Sequence, residues 1–168
     1  ASGTLSNPLK CRKMHITTQI DQGIATTDYD LVYYNPNDKI LEANFEMPLS
    51  AGSVISSFEL QINHQMRKAV AVEKQQARIA YETTVRKGID PGLVEHNTAN
   101  LFKMRVFPLQ PRQSKRIRVQ VTTLLKSKGP KAQIQYSLMS KQAVSRFNFS
   151  ATQQNGNEFR VLKEIATN

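Results

Sequence analysis

Three histidines, His15, His64 and His96, and a single cysteine, Cys11, have the widest chemical repertoire in this chain of 168 residues. A metal centre needs ligands at short, defined spacing, and no two of these histidines form an H-x-x-x-H or H-E-x-x-H pattern. The acids form no D-x-D-x-D calcium loop. Gly88 and Gly92 read as turn residues; there is no G-x-G-x-x-G and no Walker lysine to hold a phosphate. A cysteine with a remote histidine is the combination of a thiol nucleophile and its base, so a Cys-dependent hydrolase is one alternative. Cys11, however, alternates with Leu9 in a strand-like run, with no nucleophile elbow or helix N-terminus to favour the thiolate. A packing role is expected for it, and surface positions for the histidines. Asn148-Phe149-Ser150 matches a glycosylation sequon but falls inside an apparent strand. No catalytic residue, cofactor or metal ligand is expected.

Charge is the remaining chemical signal. The net charge is +10, unevenly spread. Residues 1–20 carry +3; residues 21–65 hold seven acids against one lysine; residues 66–132 hold fifteen bases against four acids. Such a bipolar chain suits internal pairing or docking to another protein, whereas a nucleic-acid binder usually lacks a large acidic block. The runs Phe102–Phe107 and Lys115–Val121 alternate in polarity around a Pro-containing loop, which predicts a hairpin. Its parity would put Lys103 opposite Arg118 and Arg105 opposite Arg116 on one outer face. Like charges at adjacent cross-strand positions repel by a few tenths of a kcal/mol per pair, roughly. These four cations are therefore the candidate interaction face. Its counter-charge would be either an acidic surface on a neighbouring domain or partner, or Glu42 and Glu46 of the same chain. Polyanion or nucleic-acid binding is the alternative use of the face, and the absence of aromatic platforms there argues against it.

The elements that position these residues follow from period-2 alternation and turn chemistry. Leu9–Ile20 places Met14, Ile16 and Ile20 on one face, and Ile24–Tyr34 places Ala25, Thr27, Tyr29, Leu31 and Tyr33 likewise. Asp21-Gln22-Gly23 and Asn35-Pro36-Asn37-Asp38 are turn signals. Ile40–Met47 turns Leu41, Ala43, Phe45 and Met47 inward and Glu42, Asn44 and Glu46 outward. Val54, Ser56, Phe58, Leu60 and Ile62 read as one face of a fourth strand, and Met66–Val72 returns after Asn63-His64-Gln65. From Glu73 to Lys87 the period changes: Ala77, Ala80, Tyr81 and Thr84 share a helical face, and Gly88 stops the helix after Arg86 and Lys87. Beyond Leu125 a basic, breaker-rich stretch leads to two further alternating segments, Ala132–Leu138 and Val144–Thr152, and then to a short strand at Phe159–Leu162. The fold class expected is mainly β, an antiparallel β-sandwich with one inserted α-helix at about 73–87. Phe45, Phe58, Leu60, Tyr81, Phe102, Met104, Ile117 and Val119 are the expected core.

The order of several short motifs resembles the VIT domain, the module named for vault and inter-alpha-trypsin proteins. Leu41-Glu42-Ala43-Asn44-Phe45-Glu46-Met47-Pro48-Leu49 resembles its strand and turn. Glu73-Lys74, Ala77, Tyr81-Glu82 and Gly88 resemble its helix. Pro91-Gly92-Leu93-Val94-Glu95, Asn100-Leu101-Phe102 and Arg105-Val106-Phe107-Pro108-Leu109 resemble its closing hairpin. The resemblance covers Met14 to Leu125, and the Asp-Pro-Gly-Leu variant is similar to bacterial members. It implies the same sandwich with the same helix, and a non-enzymatic interaction or scaffold module. A von Willebrand A domain often follows in the family; its D-x-S-x-S motif is absent from this chain. The expected organisation is a lead-in over 1–8, the VIT-like domain over 9–125, and further strands over 126–168. Those strands either complete the domain or start the connection to a following one. The expected partner is a neighbouring domain of the same polypeptide or an acidic protein surface, with no nucleic acid. No apolar run is long enough for a membrane-spanning helix. The chain starts at Ala1 rather than Met, as removal of a leader and trimming would both leave it. The resemblance to bacterial members implies an extracytoplasmic location, cell envelope or secreted.

Overall fold

The computed structural model describes residues 7–68, 100–128, 131–138 and 142–153. The helix expected at 73–87, Tyr81, His96 and the short strand at 159–162 lie outside the described residues. Ten strands are described: β1 (Lys10–Asp21), β2 (Ile24–Tyr34), β3 (Leu41–Leu49), β4 (Ser53–Ile62), β5 (Gln65–Lys68), β6 (Asn100–Leu109), β7 (Ser114–Leu124), β8 (Ser127–Lys128), β9 (Lys131–Ala132) and β10 (Phe147–Gln153). Six form one sheet in the order β10-β1-β2-β7-β4-β5, and β3 pairs with β6 in a second sheet. β8 and β9 make a separate two-stranded ladder. Every pairing is antiparallel except β1 with β10, which is parallel.

The two sheets close on a common core. Its buried members come from β1 (Cys11, Met14, Ile16), β2 (Tyr29, Leu31, Tyr33), β4 (Phe58) and β7 (Ile117, Val119, Val121) on one side. Met47 of β3 and Met104, Val106 and Leu109 of β6 face them. Two aromatic pairs cross the sandwich: Tyr33 with Phe45 at 4.6 Å between ring centroids, and Phe58 edge-on to Phe102 at 5.9 Å. Each such pair adds about 0.5–1.5 kcal/mol beyond the area it buries. Phe45, Leu60 and Phe102 are half-buried against this core rather than enclosed. The polar inward positions pair with one another, Thr18 with Thr27 at 2.9 Å and Ser53 with Thr123 at 2.8 Å. Both bonds avoid the cost of an unmatched buried hydroxyl.

Turn chemistry fixes the registers. Gln22 and Gly23 both have positive φ (47° and 80°), the geometry of a two-residue I′ hairpin, so β1 and β2 pair from Asp21–Ile24 upward. Asn63 and His64 repeat that geometry (φ 49° and 64°) between β4 and β5, so His64 is a turn residue. Gly52 also has positive φ (82°), and a Cβ there would lie 3.2 Å from the Leu124 carbonyl oxygen.

The expected mainly β sandwich of two facing sheets is what the described residues form. Three expectations of detail are corrected. The strand Phe102–Phe107 does not form a hairpin with Lys115–Val121: β6 pairs with β3, while β7 crosses to the other sheet between β2 and β4. The fourth strand does not keep one phase. A bulge between Ile55 and Ser57 turns Val54 out to 60% exposure, while Ile55, Phe58 and Leu60 pack on the core. Residues 133–138 are not a strand; Tyr136 packs on the core from an irregular segment. Within this antiparallel sandwich one edge pairing is parallel, Phe147–Gln153 along β1.

Candidate functional site

β7 and β6 carry the four candidate cations, and their inward residues fix where those cations point. On β7, Ile117, Val119 and Val121 are buried, so Arg116 and Arg118 rise from the outer face of the six-stranded sheet. On β6, Met104 and Val106 are buried, so Lys103 and Arg105 rise from the outer face of the other sheet. The two pairs therefore stand on opposite sides of the sandwich. The single basic hairpin face expected from parity does not form.

Each cation has an acid instead. Arg105 Nη2 donates to Glu42 Oε2 at 2.6 Å, and Lys103 lies 3.4 Å from Glu46, its register partner on β3. Arg118 lies 3.5 Å from Glu59 on β4. Arg116 donates through Nε and Nη2 to both oxygens of Asp30, at 2.7 and 2.8 Å. Lys13 adds a third bond to Asp30 Oδ2 at 2.7 Å. The Asp30 side chain keeps 16% of its surface. That burial alone would raise its pKa; the bonds from Arg116 and Lys13 outweigh it and hold the carboxyl at about 2. Arg112 forks onto Asp38 at 2.7 and 2.9 Å, and the Arg12 guanidinium stacks 3.6 Å above the Tyr34 ring. Acids of the 21–65 block thus pair with Lys103, Arg105, Arg112, Arg116 and Arg118 of the basic block. Glu42 and Glu46 act as the local counter-charges for β6.

The outer face of the β3–β6 sheet has a further property. Leu101 and Phe107 flank Lys103 and Arg105 along β6, and Ile40 precedes β3; all three are exposed, Phe107 at 59%. Apolar side chains are thus interleaved with paired charges on this face.

The hydrolase alternative meets opposing geometry. Cys11 is buried, and burial pushes its thiol up, away from the thiolate, outweighing the opposing hydrogen bonds at Tyr33 and the Lys13 backbone. Its Sγ donates to the Lys13 carbonyl at 3.5 Å. His15 lies on the outer face of β1, bonded to Thr17 Oγ1 at 3.3 Å, and His64 sits at the exposed hairpin tip. Among the described residues no three His, Cys, Asp or Glu side chains converge as for a metal ion, and no helix is long and apolar enough to cross a membrane. No buried side-chain nitrogen or oxygen among them lacks a hydrogen-bond partner.

One clamp escaped the sequence reading. Asn35, fully buried, donates through Nδ2 to the carbonyls of Lys39 and Leu109, both at 2.9 Å. Its Oδ1 accepts from the Asn37 backbone and side chain, both at 3.0 Å. Asn37 in turn holds the Asn7 backbone. The β2–β3 turn is thereby tied to β6 and to the start of the chain. The turn signature was visible in sequence; its partners 74 residues away were not.

Comparison with known proteins gives three weak relatives and one family. The chain is 27% identical over 127 residues to the mouse (Mus musculus) protein mono-ADP-ribosyltransferase PARP4, covering 76% of this chain and 6% of that protein. It is 23% identical over 120 residues to the von Willebrand factor A domain-containing protein DDB_G0292016 of Dictyostelium discoideum, covering 71% of this chain and 13% of that protein. It is 27% identical over 106 residues to human (Homo sapiens) von Willebrand factor A domain-containing protein 5A, covering 62% of this chain and 14% of that protein. The chain therefore spans a small part of the length of each relative it matches. The Vault protein inter-alpha-trypsin domain family matches residues 11–123, from the first buried residue of β1 to the last turn-in of β7. Two facing sheets, a motif order running from β3 through β6, and a family match over two-thirds of the chain lead to one assignment: the chain belongs to the VIT domain family.

Proposed function

We propose that this VIT domain is a non-enzymatic docking module, one part of a larger polypeptide, and that it docks through the outer face of the β3–β6 sheet. The observation that carries this is the arrangement on that face: Lys103 and Arg105, each already balanced by Glu46 or Glu42, set between exposed Leu101, Phe107 and Ile40. The exposed apolar side chains would supply most of the affinity, and the charges between them would set orientation and association rate. The partner that fits is a neighbouring domain of the same polypeptide, of von Willebrand A type, or another protein surface with acidic groups to engage Lys103 and Arg105. Two of the relatives are named for a von Willebrand factor A domain, which supports that choice. Arg116 and Arg118, on the far side, serve the fold through Asp30 and Glu59. A non-enzymatic role is supported by the buried Cys11 and by His15 standing on the opposite face of its strand.

The module is further proposed to lie outside the cytoplasm, in the envelope or secreted, a location supported by the resemblance to inter-alpha-trypsin proteins. Fractionation of the full-length protein checks it.

Docking is tested by adding the domain to the remainder of its own polypeptide and measuring association across a salt series. Phe107→Ser should weaken binding at all salt concentrations. Reversing Lys103 and Arg105 to glutamate should slow association mainly at low salt, with the fold intact. Unchanged affinity in both variants would refute the docking face.

A further inference from the structure

β10 lies beyond the family match, which ends at residue 123. After β7 the chain runs through residues 125–146 and returns to lay Phe147–Gln153 along β1, in register from Met14↔Phe147 to Ile20↔Gln153. The ladder is anchored where Met14 N–H donates to the Arg146 carbonyl at 2.9 Å and Ser145 N–H donates to the Cys11 carbonyl at 3.1 Å. The opposite edge of β1 pairs with β2 along its whole length.

The two partners of β1 are held very differently. β2 sinks Ala25, Thr27, Tyr29, Leu31 and Tyr33 into the interior. β10 sinks none: Phe147 to Ser150 and Thr152 are exposed, and Ala151 and Gln153 are half-buried. The rings on its core-facing side, Phe147 and Phe149, keep 49% and 36% of their surface, and Phe149 is met edge-on by Tyr136. The side-chain bonds to β1 are long: Ser150 Oγ to Thr17 Oγ1 and Thr152 Oγ1 to the Thr18 carbonyl, both at 3.5 Å. What remains is mainly a backbone ladder, and a parallel ladder is slightly weaker per residue than an antiparallel one. Any extended chain can supply such a ladder. Residues 147–153 also contain no charge or proline, two usual means of guarding a sheet edge.

From this we infer that the Met14–Ile20 edge of β1 is a strand-acceptor site, filled reversibly by the chain's own β10 and able to take an extended segment of another protein in its place. β10 displays the chemistry of that segment: uncharged, with apolar side chains on the core side (Phe147, Phe149, Ala151) alternating with amide or hydroxyl side chains outside (Asn148, Ser150, Thr152). Main-chain bonds supply affinity, and the positions beside Ile16 and Tyr136 that Phe149 now fills supply selectivity. Opening needs only local detachment of β10, since the residues beneath it belong to β1 and stay paired to β2. The site is independent of the β3–β6 face.

The test uses the full 168-residue chain. Hydrogen exchange should run at least about tenfold faster at β10 amides than at β2 amides, as expected for a separately opening element. A fluorescent peptide of residues 144–153 should bind the chain saturably, and the same peptide with Phe149→Lys should not. Thr17→Cys with Ser150→Cys, register partners, in a Cys11→Ala background, should abolish peptide binding when oxidised and restore it on reduction. The proposal is overturned by β10 amides as slow as those of β2, by absence of saturable peptide binding, or by binding that survives the oxidised lock. A concentration-dependent dimer that the lock dissolves would overturn the assignment to a different protein and make a second copy the occupant.

Discussion

Replacing Asp30 by asparagine keeps the shape of the side chain and removes its charge. In the native state that carboxylate takes three hydrogen bonds, two from Arg116 and one from Lys13, at 2.7–2.8 Å. A carboxyl held at about 2 rather than at 3.8 corresponds to about 2.4 kcal/mol at 1.36 kcal/mol per unit. The Lys13 and Arg116 side chains keep about a third of their surface in water. Screening there reduces the expected loss to about 1–2 kcal/mol. The sign follows from the direction of the shift. The folded pKa is depressed, so the stabilisation is fully present above about pH 4 and is lost as the pH falls through about 2. Asp30→Asn should therefore be less stable than the parent by about 1–2 kcal/mol at pH 7 in urea unfolding, a drop of about 2–8 °C in melting temperature. The gap should narrow below pH 4 and close near pH 2; 1 M salt should shrink it. Equal stability at pH 7, or a gap that persists undiminished at pH 2.5, would show that Asp30 contributes by packing or not at all.

Other substitutions probe the core and the turns. Ile55→Ala should cost about 1.5–3 kcal/mol and Val54→Ala less than about 0.5, because the bulge puts only Ile55 inside; the reverse order in chemical denaturation would mean the strand runs in phase. Phe58→Ala should cost about 3–5 kcal/mol and the half-buried Phe102→Ala less, with a double-mutant coupling of about 0.5–1.5 kcal/mol for the edge-on pair; zero coupling would remove that contact from the accounting. Asn35→Ala should cost about 2–4 kcal/mol, since it strands two buried carbonyls and the Asn37 donors; a loss under about 1 kcal/mol would show that water replaces the amide. Cys11 should react with iodoacetamide at pH 8 only as fast as the protein opens, and prompt labelling would contradict its burial.

Period-2 alternation made β1, β2 and β3 legible, because each has one face on a core and the other in water. In β2 all five residues expected inside, from Ala25 to Tyr33, are inside. Alternation says nothing about bulges, which insert a residue and flip the phase. That is why Val54 was placed inward and lies outward, and why Cys11 and Met14, three apart, share a face. The β6–β7 hairpin was inferred from a short loop between two alternating runs, and short loops join neighbours in most sheets. Here the chain crosses between sheets, and the charges fit the crossing better than they would fit the hairpin. A hairpin would set Lys103 against Arg118 and Arg105 against Arg116. The crossing sets the first strand against Glu42 and Glu46 and the second against Asp30 and Glu59. The acidic third strand was the available signal, since its outward glutamates match the outward bases of β6. The partners of Asn35 and the parallel return of β10 depend on chain closure over long distances, for which a single sequence carries no local mark.

The placement of β7 between β2 and β4 has a kinetic consequence. The middle of the large sheet joins Tyr29 to Val119, so its central ladder closes a loop of most of the domain. Of the described ladders in that sheet, β1–β2 and β4–β5, each turned by two residues of positive φ, form from local contacts. The ordering entropy of everything between must be met before that central ladder gives any return. Refolding is therefore expected on the millisecond-to-second scale of non-local β topologies, not in microseconds. The two-residue turns at Gln22-Gly23 and Asn63-His64, by contrast, hold their strands in register at once and leave no latitude in length.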